Sequence, residues 1–281
     1  MVINGLSVDI EDWFQVGAFE NSIRRDDWES LPSRVERNSD AVIELFGRAG
    51  AKGTFFTLGW VAERCPALIR RIVEAGHEVA SHGWDHVRVF TMTPAQFRED
   101  LRRTRAVLED LGGCRVVGYR APSFSIDART PWAHEILAEE GYTYSSSVAP
   151  VVHDHYGWPE APRFAFRPLP GADLIELPVT TARLAGRTIA AGGGGFFRLF
   201  PYAFSRWAIR QVNAEGRPGI FYFHPWEIDP GQPRVAHAPL RSRLRHYARL
   251  SAMEAKLARA IGDFAWDRID RVAAVEAARA A

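Results

Sequence analysis

From Leu6 to Tyr144 the chain switches repeatedly between short apolar runs and segments of helical period, and this alternation restricts the fold more than any single residue does. Leu6 to Val8 is a brief apolar run. Ser33 to Gly50 then carries Val35, Ala41, Val42, Leu45 and Phe46 at helical spacing and stops at a glycine. Gly53-Thr54-Phe55-Phe56-Thr57-Leu58 reads as a strand covered on both faces. A helix from Pro66 to Gly76, with proline near its start and glycine at its end, leads into the strand Glu78 to Ser81. The cycle then repeats through a helix from Thr93-Pro94 to Leu111, whose inward residues are predicted as Phe97, Leu101, Ala106 and Leu108, and the strand Val116 to Tyr119. A helix from Pro131 to Gly141 and the stretch Tyr142 to Tyr144 follow. Repeated β then α predicts a parallel barrel or doubly wound sheet, with functional residues at the carboxyl ends of strands. At 281 residues one such domain with extensions accounts for the whole sequence.

The pattern weakens between about residues 145 and 206. Gly192 to Gly195 cannot be the interior of a stable helix, and no G-x-G-x-x-G or Lys-Ser/Thr spacing makes it a phosphate loop, so a loop at the rim of a substrate groove is expected. Ile220 to Phe223 is a last strong strand. Leu240 to Ala260 reads as one amphipathic helix with Leu244, Tyr247, Leu250 and Leu257 on a single face, before an Ala/Arg-rich tail with a frayed end. The predicted division is residues 1–235, with a loop insertion around 150–200, and a helical extension over 236–281. With 35 basic and 34 acidic side chains the net charge is +1, so neither nucleic acid nor an anionic membrane is indicated as a partner. Cys65 and Cys114 make no disulfide framework and fit a reducing compartment. No window approaches the ~20 apolar residues of a membrane span, and no basic segment followed by an apolar one opens the chain, so a soluble, cytoplasmic protein is expected.

The chemistry centres on Ser81-His82-Gly83-Trp84-Asp85-His86. An H-x-x-x-H pair on a helical turn projects both rings to one side, about 5–6 Å apart at Cβ, a separation that one divalent cation bridges. Asp9-Ile10-Glu11-Asp12, just after the first apolar run, supplies carboxylates. Two imidazoles and one carboxylate leave coordination positions open for water and substrate, which predicts a metal-dependent hydrolase. Alternation along a strand puts Glu11 on the face of Asp9, whereas Asp12 reaches that face only if the strand bulges.

Asp9 to Asp12, His82 to His86, Arg120-Ala121-Pro122, Tyr144 to Val148 and Phe223-His224 together resemble the successive motifs of the polysaccharide deacetylases, carbohydrate esterase family 4. Ser7 to Phe14, Gly193 to Arg198 and His224 to Asp229 further resemble the subgroup associated with exosortase-linked exopolysaccharide clusters. The resemblance implies a distorted (β/α) barrel with a C-terminal helical extension. It also implies one divalent ion, zinc first, with cobalt, nickel or manganese as alternatives, and removal of acetyl from N-acetylated amino sugars of a polysaccharide. By the same resemblance His82 and His86 hold the metal together with Glu11 or Asp12, and Asp9 is the general base. Arg120 orients Asp9, and His224 protonates the departing amine. Trp84, Pro122 and Trp226 are expected to touch sugar, because carbohydrate sites combine flat aromatic platforms with a few polar groups. Trp13 and Trp158 are further aromatics near the motifs. Many relatives have an aspartate in the fourth motif where this chain has Ser145, which leaves the partner of His224 open between Glu227, Asp229 and another acid. His77, His134, His237 and His246 are expected to be structural or solvated, whereas His153 and His155 lie in an aromatic loop that could touch sugar. A carbohydrate-binding relative that has lost catalysis, or a hydrolase of other amides or esters, would carry the same metal motifs.

Overall fold

The computed structural model describes residues 2–153 and 156–279. Six strands, β1 (Ile3–Ile10), β2 (Thr54–Thr57), β3 (Glu78–Ser81), β4 (Gly118–Tyr119), β5 (Tyr144–Ser145) and β6 (Ile175–Glu176), lie side by side in that order, all parallel. β7 (Thr181–Leu184) and β8 (Arg187–Ala190) form a separate antiparallel hairpin. β9 (Ile220–Phe223) pairs with β1 over Gly5 to Val8, and β10 (Ala265–Asp267) pairs with β1 over Ile3 to Gly5. The result is an α/β fold, a parallel sheet curled into a half-barrel. The seam between β6 and β9 is crossed by the Thr180 N–H on the Ile220 carbonyl at 3.1 Å and the Tyr222 N–H on the Gly192 carbonyl at 2.8 Å.

The helices follow from the apolar spacing. α1 (Val35–Ala49) ends at Gly50 in the left-handed region, φ 64°, as the terminal glycine predicts. α2 (Gly59–Arg64) and α3 (Pro66–Glu74) lead to β3, and α4 (Pro94–Gly112) opens on a capping box between Thr93 and Gln96. α4 buries Phe97, Leu101, Thr104 and Leu108 but leaves Ala106 exposed. Ala106 lies 200° around the helix from Thr104, so the apolar letter at 106 misleads and the 3.6 period decides. α5 (Trp132–Glu139) completes the repeat. Leu6, Val8 and Ile10 pack with residues of these helices, such as Val42, Phe46, Ile69 and Leu101, in one buried cluster. Strand alternation turns Ser7 and Asp9 the other way, into the curl of the sheet.

The second half departs from the sequence expectations. The four glycines are not a rim loop. Gly193, at φ 124°, bridges to Tyr222, and α6 (Gly194–Leu199) starts directly against β9. A Cβ at Gly193 would overlap the carbonyl oxygen of Tyr222, so this approach requires glycine. α7 (Tyr202–Ala214) follows. The predicted single helix over 240–260 is broken into α8 (Leu240–Tyr247), a 3₁₀ turn Leu250–Ala252 and α9 (Met253–Asp263), because Arg249 sits at φ 56° and interrupts the helical hydrogen bonds. Leu240 and Leu244 are consequently 67% and 63% exposed, while Leu250 and Leu257 are buried. The tail is not frayed up to Arg279. β10 joins the sheet, and α10 (Ile269–Arg279) buries Ile269, Val272 and Ala273 against residues of its inner layer such as Phe56 and Ala80. Among the described residues no helix is long and apolar enough to cross a membrane.

Candidate active site and metal centre

Glu11, His82 and His86 converge just beyond the carboxyl ends of β1 and β3, with one ligand atom from each lying within 4.8 Å of the others. The expected helical turn between the histidines is absent. Gly83 at φ 75° and His86 at φ 63° fold residues 82–86 into a tight loop, and the two rings are 5.5 Å apart. His82 Nδ1 donates to the Arg120 carbonyl at 2.8 Å, which leaves the lone pair on Nε2. Burial holds His82 down to about 4, so its ring is neutral. Burial would raise Glu11, but His86 and His224 outweigh it and hold its carboxyl at about 2. Glu11 Oε2 is buried and lies 2.8 Å from His86 Nε2, yet accepts no hydrogen bond of acceptable angle. An orphaned carboxylate oxygen facing two imidazoles is the electron-rich hollow that a divalent cation fills, and this nitrogen and oxygen donor set suits zinc or a neighbouring first-row ion.

Asp12, the other predicted ligand, stands outside this cluster. Its oxygens accept from Ser33 Oγ and Arg34 N, both at 2.7 Å, from Val35 N at 3.1 Å and from Trp13 N at 2.8 Å, so it caps the start of α1. Burial raises its pKa against those hydrogen bonds. Asp12→Ala is therefore expected to lower unfolding free energy by about 1–2 kcal/mol in urea denaturation while leaving zinc affinity, measured by titration calorimetry, unchanged.

Asp9 lies beside this hollow with Oδ1 2.6 Å from Arg120 Nη1. Arg120 is fully buried and also donates to Ser7 Oγ at 2.8 Å, Ser146 Oγ at 2.9 Å and the Ser146 carbonyl at 3.0 Å. The fourth motif thus serves the arginine. Ser145 hydrogen-bonds Ser147 Oγ at 2.8 Å.

His224, at the end of β9, faces the same hollow. Its Nε2 is 3.4 Å from Glu11 Oε1 and 4.0 Å from Asp9 Oδ2, and its Nδ1 is 3.1 Å from Glu227 Oε2. Burial opposes a charge on His224, but Glu11, Glu227 and Asp9 outweigh it and push its pKa up to about 9. Asp229, the alternative acid, is engaged by Arg34, Arg37 and Asn38.

A cavity of about 410 Å³ opens over these groups. Trp226 lines it, stacks on His224 with centroids 5.2 Å apart and donates Nε1 to Glu11 Oε1 at 3.2 Å. Two of the residues expected at sugar are absent from its walls. Trp84 is buried between Gly59 and Arg103, whose guanidinium carbon lies 3.3 Å from the ring centroid. Pro122 is buried at the start of the 3₁₀ turn Pro122–Phe124, and its neighbours Ser123 and Phe124 face the cavity instead. Trp13 is core, donating Nε1 to the Pro32 carbonyl, and Trp158 packs against the main cluster. The walls also contain Arg88, Tyr156, Tyr222 and Arg245, which the sequence reading did not single out. Tyr222 was accessible to it, because two residues before His224 on a strand is the same face. His153 lines the cavity, stacked on Tyr156 at 4.0 Å, whereas His155 lies outside the described residues. His77 accepts from Gly53 N, His134 pairs with Glu176, His237 contacts the Ser22 carbonyl and His246 stacks beneath Trp226, all consistent with structural roles.

Residues 26–145 match the sequence profile of the polysaccharide deacetylase family. This stretch, less than half of the chain, carries the likeness to that family. It supplies His82, His86 and Arg120, while Asp9 and Glu11 precede it. Residues 146–274, which include His224, match a domain of unknown function (DUF3473). The chain is similar to a peptidoglycan deacetylase of Helicobacter pylori, at 31% identity over 107 residues, 38% of this chain and 36% of the relative. It is also similar to a chitooligosaccharide deacetylase of Bradyrhizobium, at 29% identity over 154 residues, 54% of this chain and 63% of the relative. The match with the Helicobacter protein thus spans about a third of that protein's length. Among solved structures, a Mycobacterium smegmatis protein assigned as a polysaccharide deacetylase superposes with a TM-score of 0.63 at 21% identity, covering 99% of this chain and 90% of the other. Puue allantoinase superposes with a TM-score of 0.62 at 19% identity, covering 97% and 89%. At these identities the solved structures share the fold of this chain and nothing further.

Proposed function

We propose that this chain is a divalent-metal-dependent hydrolase that removes acetyl groups from N-acetylated amino sugars of a polysaccharide, acting in exopolysaccharide synthesis of the exosortase-linked kind and located in the cytoplasm. The observation that carries the reading is the meeting, at one cavity, of a Glu11/His82/His86 cluster, an arginine-held carboxylate and an acid-poised histidine. Glu11, His82 and His86 would hold the cation, most simply zinc, which when bound would supply Lewis-acid polarisation of the acetyl carbonyl and lower the pKa of water toward neutrality.

Arg120 occupies Asp9 Oδ1, so Oδ2 is the oxygen left to take a proton from the attacking water. His224 Nε2 stands across the site from it and delivers a proton to the nitrogen as the C–N bond breaks, which an amide requires because an amine leaves poorly as an anion. Acetate and a free amine result. Tyr222 lines the cavity as an aromatic surface for a sugar ring, whereas Trp226, whose faces lie on His224 and His246, meets the cavity with its edge.

The test is release of acetate from an N-acetylglucosamine oligomer. With zinc added, the wild type is expected to release it, and a chelator to stop release until metal is restored. His82→Ala is expected to bind zinc at least 10-fold more weakly by calorimetry and to lose activity at wild-type metal concentrations. Oligomer binding without release would favour the non-catalytic reading, and release only from small amides or esters would replace the substrate class.

A further inference from the structure

The segment that matches a domain of unknown function places three buried groups in a row behind His224. Glu227 Oε2 accepts from the backbone N–H of its own residue 224 at 3.1 Å and meets Nδ1 of the same histidine at 3.1 Å, so one carboxylate oxygen ties the ring to its backbone. Glu227 Oε1 forms an ion pair with Arg198 Nε at 3.3 Å, a contact of charges without a hydrogen bond. Arg198 is 1% exposed, and its two terminal nitrogens donate to the carbonyls of His246 and Arg245 in α8. The ring of His224 is further clamped by Trp226, stacked at 18°, which in turn lies on His246 at 14°. Other candidate partners are engaged elsewhere, Ser145 with Ser147 and Asp229 with Arg34, Arg37 and Asn38, while Asp9 and Glu11 lie on the Nε2 side.

We propose that Arg198 and Glu227 are positioning residues for the acid histidine: Arg198 anchors Glu227 to α8, and Glu227 fixes the ring of His224 so that Nε2 presents its proton to the leaving nitrogen. Burying an arginine this deeply is costly without a paired acid, and the only acid paired with it among the described residues is Glu227. The glycine run acquires a purpose in the same arrangement. Gly193, bridged to Tyr222, starts α6 against β9, and Arg198 then sits one turn along, opposite the residues that follow β9. In the step itself the His224 Nε2–H proton moves to the nitrogen as the C–N bond breaks, and the Nδ1–H remains hydrogen-bonded to Glu227. The segment of unknown function is thus the acid half of the active site, facing the metal and base half.

This inference rests on His224 being the acid, and the experiment separates the two. In the zinc-loaded protein, Glu227→Gln and Arg198→Lys are compared with wild type on an N-acetylglucosamine oligomer and on 4-nitrophenyl acetate, whose phenolate leaves without protonation. Glu227→Gln is expected to lower kcat on the acetamide about 100-fold with KM within 3-fold, and to change the aryl ester by less than 3-fold. Arg198→Lys is expected to retain more acetamide activity than Arg198→Met. In a His224→Ala background Glu227→Gln should cost nothing further. An equal loss on both substrates, or an unchanged kcat on the acetamide, overturns the proposal. Proton NMR supplies a readout independent of turnover: the hydrogen-bonded Nδ1–H resonance of His224 is expected in wild type and lost in Glu227→Leu, and its survival there overturns the positioning role even if no acetamide is hydrolysed. Absence of wild-type acetamide hydrolysis with the NMR signature intact would instead remove the deacetylase reading alone.

Discussion

Asp9→Asn is expected to lower acetate release about 1,000-fold while leaving zinc affinity within a few-fold of wild type. The substitution keeps the shape of the side chain and removes only the ability to accept a proton at Oδ2. Glu11, His82 and His86, the three groups placed to hold the cation, are untouched. Two assays decide it together: steady-state acetate release and calorimetric zinc titration of the same preparation. The variant should also be less stable, because Arg120 is fully buried and its only carboxylate partner among the described residues becomes neutral. Near wild-type turnover would remove Asp9 from the mechanism. Loss of zinc binding in parallel with activity would instead mean that Asp9 is a ligand rather than the base.

Arg120→Met should cost about 3–5 kcal/mol of unfolding free energy, the largest stability effect anticipated at any position of the site. Methionine approximates the volume, yet it strands the Asp9 carboxylate without its guanidinium and leaves Ser7 Oγ and Ser146 Oγ without the donor they share. Urea denaturation at constant m gives the number. Adding Asp9→Leu to Arg120→Met should restore a large part of the loss, since the damage comes from an uncompensated buried charge and not from a missing attraction. A loss below about 1 kcal/mol in the single variant would show that the pair is as weakly coupled as an exposed one.

Residues 1–145 were nearly legible in order. β3 and β9 occupy the residues expected of them, α1, α3, α4 and α5 fall within about two residues of theirs, and the glycine at position 50 ends its helix as anticipated. Legibility fell away after β5, with β9 the exception, for a physical reason. β6 has two residues, too few to show a period, and β10 has three. These strands exist because a distant edge of the sheet accepts their hydrogen bonds, β5 for one and β1 for the other. The broken helix at Arg249 was hidden as well, since nothing in the residue type announces a left-handed conformation there. Trp84 shows the same limit at the site. Adjacency to His82 suggested a sugar platform, but a side chain two positions along a tight loop points elsewhere, and Gly59 and Arg103 enclose it.

What the sequence alone determined is local: the strand period that sets Asp9 and Glu11 on one face, the apolar spacings that make α1, α3, α4 and α5, and the residue types able to hold a cation and move protons. The tertiary structure decided every choice between neighbours. Asp12 is drawn to the start of α1 and Glu11 to the histidines. Glu227, not Asp229 or the fourth-motif position, meets His224, and the C-terminal strand returns to lie beside the first. Periodicity speaks for residues within a turn or two of one another. Partners such as Arg120 and Asp9, 111 positions apart, are joined only by the curl of the sheet that brings the strand ends together.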